Sequence, residues 1–259
     1  MNKLIFAFLF IFNFTYNNTE NKKLILREFD LMKKKLQEKH SPYSSDFIAT
    51  NKKGFLIAIE GIDGAGKSTV LKLLEKKLST SFSVVCTKEP GGTSLGTDLR
   101  AILQKPFSRS FRTEFLLFAA DRAQHFEEKI LPLLQTNTVV ISDRMADSSL
   151  VYQGYGRGLN KHVLSTINMW AMQGHSPDYT IYVRTPIDVA LNRINKRNES
   201  KTAFEQEKID FTERLINGFD EIYANRKDVI IVDGSLSTDE IVNIIYNKLF
   251  PLLCEKISQ

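Results

Sequence analysis

From Phe55 onward, apolar runs of five or six residues alternate with longer stretches whose apolar positions recur every three or four residues. The short runs, at 55–60, 83–87, 138–142, 179–183 and 229–233, read as strands. The longer stretches, near 67–79, 94–104, 111–135, 160–172, 186–196, 205–224 and 237–250, read as helices. A run such as Phe55-Leu56-Ile57-Ala58-Ile59 is apolar throughout, as expected of a parallel strand covered on both faces. Strands alternating with helices predict an α/β fold, a mostly parallel five-stranded sheet flanked by helices. In open sheets of this kind ligands bind beyond the carboxyl ends of the strands, so chemistry is sought just after each run.

After the first run comes Gly61-Ile62-Asp63-Gly64-Ala65-Gly66-Lys67-Ser68, followed by Thr69, which fits G-x-x-x-x-G-K-[ST]. Between a strand and a helix, that loop places backbone N–H groups and a helix N-terminus around one anion-sized hollow. The glycines allow close approach of phosphate, Lys67 would reach the β/γ-phosphates, and Ser68 would place its hydroxyl on Mg2+. The expected architecture is a three-layer P-loop NTPase fold with ATP as ligand.

Other strand ends carry further candidates. Val139-Val140-Ile141-Ser142-Asp143-Arg144 ends in the carboxylate that would organise magnesium, directly or through water, followed by a guanidinium with the fork geometry for phosphate. The alternative is an Asp–Arg pair of purely structural value. Lys88-Glu89-Pro90-Gly91-Gly92-Thr93 reads as a tight loop walling an acceptor site. On the helix Phe118-Ala119-Ala120-Asp121-Arg122, positions 118 and 122 share a face, so a ring could stack on a base beside an arginine. A core Phe with a surface Arg is the plainer alternative. Tyr152-Gln153-Gly154-Tyr155-Gly156-Arg157-Gly158 reads as a glycine-rich loop, with or without a ligand beneath it.

Composition changes this picture little. The 259 residues are 42% hydrophobic and 25% charged, with a net charge of +5, and a pI near 9.0. That charge suits anionic substrates and equally a solvated Lys-rich surface. Without a long basic block or aromatic-rich RNA signature, nucleic acid is not expected as a partner. Cys86 and Cys254 are too few for a disulfide framework or metal site, and Cys86 reads as a small core residue. The histidines, His40, His125, His162 and His175, show no ligand spacing. Residues 1–50 differ from the rest. Leu4 to Phe12 behind Lys3 resembles a signal h-region, too short to span a bilayer, with no small-x-small cleavage site after it. Lys22 to His40 is a charged segment carrying Leu24, Leu31 and Leu36. A targeting peptide and a membrane-surface anchor compete with an extension outside the working protein. The last is favoured, with Met32 as an alternative start, because a nucleotide-consuming enzyme belongs where ATP is; a cytoplasmic location is expected.

Glu60 to Thr69, Glu89-Pro90-Gly91-Gly92-Thr93, Phe118 to Arg122, Asp143-Arg144 and Tyr152-Gln153-Gly154 together, in that order, resemble the thymidylate kinase family. The E-P-G-G-T loop and the D-R…Y-Q-G run carry that likeness more than the widely shared P-loop does. It covers roughly residues 53–254 and leaves 1–50 without counterpart. The resemblance implies transfer of the ATP γ-phosphoryl to dTMP with magnesium, giving dTDP. It implies Phe118 stacked on thymine, Arg122 at the base edge or phosphate, and Arg144, with Arg100 as a second candidate, on the acceptor phosphate. Tyr152 would lie against the deoxyribose; Ser148, Ser149 and Gln153 would line the base pocket. Asp63, a carboxylate inside a phosphate loop, would accept a hydrogen bond from the acceptor's 3′-hydroxyl. A homodimer through helices near 111–135 and 160–172 is also implied.

The resemblance also implies a transition-state cation carried either in the P-loop or on a mobile lid; with Gly64 in the loop here, it would come from elsewhere. The basic segment Arg193 to Lys201 has the composition of a closing lid, with a solvated basic loop as the alternative; Arg197 ranks first and Arg193 second. Three positions depart from the family pattern: Ala203 before Phe204-Glu205, Arg184 after the fourth strand, and Lys88 before E-P-G-G-T. A kinase for another nucleoside monophosphate or a deoxynucleoside, and a nucleotide-binding regulator without turnover, remain open. A GTP switch fits poorly, because Asn195-Lys196-Arg197-Asn198 lacks the Asp of a guanine-reading motif.

Overall fold

A computed structural model of the chain describes residues 52–105, 108–196, 204 and 209–257. The expectations for residues 1–50 and for Arg197 and Ala203 therefore lie outside the described residues.

Five strands form one parallel sheet: β1 (Phe55–Glu60), β2 (Ser83–Lys88), β3 (Thr138–Asp143), β4 (Tyr179–Arg184) and β5 (Val229–Asp233). They stand in the order β2-β3-β1-β4-β5. β1 is central, with Ile59 opposite Asp143 of β3 and opposite Ile181 of β4. That register brings the chain leaving β1 and the chain leaving β3 to the same edge, where both principal motifs begin.

The two faces of β1 feed two cores. Phe55, Ile57 and Ile59 pack with Val70, Leu74 and Leu78 on one side; Leu56 and Ala58 pack with Phe126, Ile130 and Leu134 on the other. Alternate side chains point to opposite faces and both faces are covered, which is why the strand carries no polar alternation. The covering helices are α1 (Lys67–Leu78), α2 (Ser94–Gln104), α3 (Phe111–His125), α4 (Ala146–Ser149), α5 (Lys161–Ala171), α6 (Ile187–Lys196), α7 (Ile209–Tyr223) and α8 (Thr238–Ile257). Local chemistry fixes their starts. Thr93 Oγ1 accepts from Gly96 N at α2, and Asn160 Oδ1 accepts from His162 N and Val163 N at α5. Ser237 and Glu240 form a reciprocal capping box before α8.

The helix expected near 111–135 is present, α3 continuing through a π turn, Phe126–Ile130, into Leu131–Leu134. Two details correct the sequence reading. α8 does not stop before Pro251 but runs to Ile257, because Leu249 and Leu253 on either side of the proline are both fully buried and hold the helix to the core. The stretch read as a glycine-rich loop is instead α4 continuing into a π-helical turn, Leu150–Gly156. There Arg157 N bonds to Tyr152 O at 3.0 Å, a five-residue step. The glycines hid the element: no 3.6-residue period runs through it, and burial of Val151 to Gly154 pays for the weak local propensity. Among the described residues no helix is long and apolar enough to cross a membrane.

Candidate active site

The loop leaving β1 is held in a shape that side chains would spoil. Gly64 has φ 79° and a Cβ there would lie 2.4 Å from the Ala190 carbonyl oxygen. Gly66, at φ 90°, caps the start of α1. Lys67 is buried, and its Nζ donates to Ile62 O at 2.8 Å. Burial, helped by the nearby charge of Arg144, lowers its pKa to about 8. Ser68 Oγ donates to Asp143 Oδ2 at 2.8 Å. The other oxygen, Asp143 Oδ1, is buried without a hydrogen-bond partner among the described residues. The loop opens on a cavity whose rim includes Lys88, Arg193, Thr238 and Ile241. Arg193 Nη1 donates to Ala65 O at 3.3 Å, bracing the loop from α6.

A second cavity lies on the α3 side. Its floor is Arg144, which takes φ 70°, a conformation uncommon outside glycine. That turn swings its guanidinium back over the phosphate loop. Nη1 donates to Gly61 O and to Ser148 Oγ, both at 2.9 Å; Nη2 donates to Asp63 Oδ1 at 2.5 Å and to Tyr152 OH at 3.1 Å. Burial opposes its charge, but Tyr152, Asp63, Asp143 and Glu60 outweigh that and hold it more firmly protonated than an ordinary arginine. Asp63, Glu89, Arg100 and Arg144 belong to the walls of both cavities. The two hollows thus meet at a junction of two acids and two arginines.

Behind the junction lies a layer of buried polar groups. Glu60 is fully buried and accepts from Met145 N at 2.8 Å and from Ser148 Oγ at 2.5 Å. Burial, with the Asp147 charge adding, raises its pKa to about 7. Between about pH 4.5 and pH 7 the folded state therefore keeps a proton the unfolded chain has released, and stability falls as pH rises through that window. Glu60→Gln should flatten this slope, which urea midpoints across the window would show; an unchanged slope would place the effect elsewhere.

Arg122, fully buried, pairs with Glu89 at 2.7 Å and donates to Asn168 Oδ1 at 2.7 Å. Burial alone would raise the Glu89 pKa, but Arg122 and His125 outweigh it and hold the carboxyl below its usual range. His125 spans from Glu89 Oε1 at 3.0 Å to Thr87 Oγ1 at 2.7 Å, which ties the E-P-G-G-T loop to α3. Asp121 completes that tie by accepting from Gly91 N at 3.0 Å.

The structure brings together Asp63, Glu89, Pro90, Arg100, Phe118, Arg122, Arg144, Ser148, Ser149, Tyr152 and Gln153, all of which line the second cavity. Gly64 through Thr69 and Asp143 line the first, while Gly61 and Ile62 lend carbonyls to Arg144 and Lys67. The core-Phe, surface-Arg alternative fails, since Arg122 is the largest fully buried side chain described. Cys86 is half-buried against the core. Burial pushes its thiol up to about 12. Of the departing positions, Lys88 reaches the first cavity. Arg184 is spent on a surface pair with Asp220 at 2.8 Å. Sequence reasoning assigned no role to Glu60, nor a pocket role to Phe204. The Phe204 ring lies 6.2 Å from Phe118 and 5.5 Å from Tyr152, in the second cavity's wall. The run of apolar residues before Glu60 was the available signal, because an acid ending a buried central strand has to find donors.

The sequence is similar to proteins of one named family. The sequence model described as "Thymidylate kinase" matches residues 59–245. A protein named thymidylate kinase from Halothermothrix orenii is 39% identical over 201 residues, covering 76% of this chain and 97% of its own. One of the same name from Kosmotoga olearia is 40% identical over 204 residues, covering 77% and 96%. Another, from Staphylococcus haemolyticus, is 36% identical over 198 residues, covering 76% and 98%. With matches of that extent on a five-stranded parallel sheet, the chain belongs to the thymidylate kinase family.

Proposed function

We propose that ATP lays its phosphates along Gly61–Thr69 while dTMP occupies the second cavity, and that the γ-phosphoryl crosses the wall the two share. The overall reaction is that of the family, phosphorylation of dTMP to dTDP. The observation that carries the placement is the common border: Asp63, Glu89, Arg100 and Arg144 face both cavities, so a donor and an acceptor anion bound one on each side would meet at two guanidinium groups.

In this reading Phe118 and Phe204 bracket the base, Tyr152 lies by the sugar, and Arg144 and Arg100 take the 5′-phosphate. Asp63 pairs with Arg144 and accepts the 3′-hydroxyl when dTMP is bound. Ser68 and Asp143 fit a hard cation, since a hydroxyl stands beside a carboxylate with one buried oxygen unpaired. They would hold Mg2+, which when bound neutralises charge on the transferring phosphates.

Residues 53–254 would form the working kinase, with 1–50 outside it, and the cytoplasm would supply ATP. Exposed Leu116 of α3 and Val163 and Trp170 of α5 would be covered in a homodimer. ADP release measured with dTMP, dUMP, dCMP, AMP and thymidine as separate acceptors should give the highest kcat/KM with dTMP. In the same assay Asp63→Ala should impair dTMP phosphorylation about a hundredfold while leaving ATP affinity within a few-fold. Equal losses in both would remove Asp63 from the acceptor's side.

A further inference from the structure

Among the described residues that line the second cavity, Glu89, Arg122 and Gln153 each carry a buried side-chain atom without a hydrogen-bond partner; Glu89 Oε2 is ion-paired to Arg122 at 2.7 Å, which leaves two. Gln153 Oε1 and Arg122 Nε are buried and have no hydrogen-bond partner, although both side chains are otherwise engaged. Native interiors rarely leave such atoms unpaired, and where they do a ligand is a common reason. One is an acceptor and the other a donor.

The side chain of Gln153 can present either end of its amide to the cavity. Here the end is chosen by Glu114, which lies in the first turn of α3 and is itself buried. Gln153 Nε2 donates to Glu114 Oε1 at 3.0 Å. A carboxylate accepts and cannot donate, so only the NH2 end of the amide can face it. The negative charge at 114 is supported twice, by the N-terminal end of α3 and by Arg157, whose Nε lies 3.6 Å from Glu114 Oε1. Arg157 is fixed in turn over the rings of Phe111 and Phe211, at 4.9 and 4.7 Å.

We infer that Glu114 is a specificity-determining positioning residue: by locking the Gln153 amide with its oxygen toward the cavity, it makes the site demand a base that offers an N–H donor there. The inference rests on dTMP occupying this cavity. A 4-oxo pyrimidine meets the demand with N3–H and offers O4 as acceptor to the arginine side. A 4-amino pyrimidine presents a lone pair at N3, so two acceptors would face one another and both would stay unpaired. Sites that hydrogen-bond a substrate group reject the analogue lacking it far more strongly than apolar pockets reject a change of size. Glu114 touches neither substrate nor reacting atoms and acts only through Gln153.

The test compares dTMP with 5-methyl-dCMP, which differ only at that edge. Wild-type protein should prefer dTMP by about a hundredfold or more in kcat/KM. In Glu114→Gln the residue at 114 can donate as well as accept, freeing the Gln153 amide to turn. The preference should fall at least about tenfold, mainly through a higher KM for dTMP and a lower one for 5-methyl-dCMP, with kcat for dTMP within a few-fold. Glu114→Asp, which keeps the acceptor-only group, should retain most of the preference.

A folded Glu114→Gln protein with an unchanged preference overturns the inference, as does a Glu114→Asp protein that loses it equally. A measurement on the wild-type protein stands free of any folding defect. In mildly acid solution the cytosine ring gains a proton at N3, so binding of 5-methyl-dCMP relative to dTMP should strengthen as pH falls; a flat ratio also overturns it. Failure of dTMP to compete with a pyrimidine bound in this cavity would instead overturn the placement of the acceptor.

Discussion

Arg144→Met should lower kcat/KM for dTMP by about a thousandfold, the largest single effect expected in the acceptor site. One guanidinium there makes four contacts, to Gly61 O, Ser148 Oγ, Asp63 and Tyr152 OH. Without it the Asp63 carboxylate loses that partner, and an incoming phosphate meets its charge with one guanidinium fewer at the junction. Arg144→Lys should recover little, because a single ammonium cannot make the paired contacts of the fork. Steady-state kinetics with dTMP and calorimetric titration with ATP measure the two sides separately. ATP affinity falling as far as dTMP turnover would show that Arg144 serves chiefly to hold the loop through Gly61.

The second large effect concerns the cation that must reach the transferring phosphoryl group. The loop offers Gly64 where an arginine could stand, and its Cβ would collide with the Ala190 carbonyl in any case. On the reading proposed above, the basic segment that begins at Arg193 supplies the charge. Arg193 already contacts Ala65 O, so Arg193→Met should chiefly raise KM for ATP by loosening the loop. Arg197→Met should lower kcat about a thousandfold or more while sparing nucleotide affinity, the pattern of a lost transition-state cation. Single-turnover rates with saturating ATP and dTMP distinguish the two. The reverse pattern would assign the transition-state role to Arg193.

Much of this was legible because strongly periodic, strongly apolar segments leave few alternatives. β1, β3 and the loop between strand and α1 read directly from Phe55 to Thr69 and from Thr138 to Asp143. The acceptor-site residues were legible only in combination. Phe118 and Arg122 share a face by spacing alone, but that Arg122 is buried depends on Glu89 and Asn168, residues distant in sequence that only the fold brings to it. Glu60 and Glu114 passed unnoticed for the same reason. A single acid at a strand end or in a helix's first turn is ordinary, and what sets each apart is a partner far along the chain. The helix through Pro251 escaped because local propensity was overruled by burial on both sides of the break.

The π turn at Leu150–Gly156 has a consequence for how this wall can vary. Bonding across five residues widens the turn, so side chains four and five positions apart look the same way. Ser148 and Ser149 can thereby share a surface with Tyr152 and Gln153. With dTMP placed in the second cavity as proposed, removing one residue from that stretch would close the turn and pull apart the four side chains that share this surface.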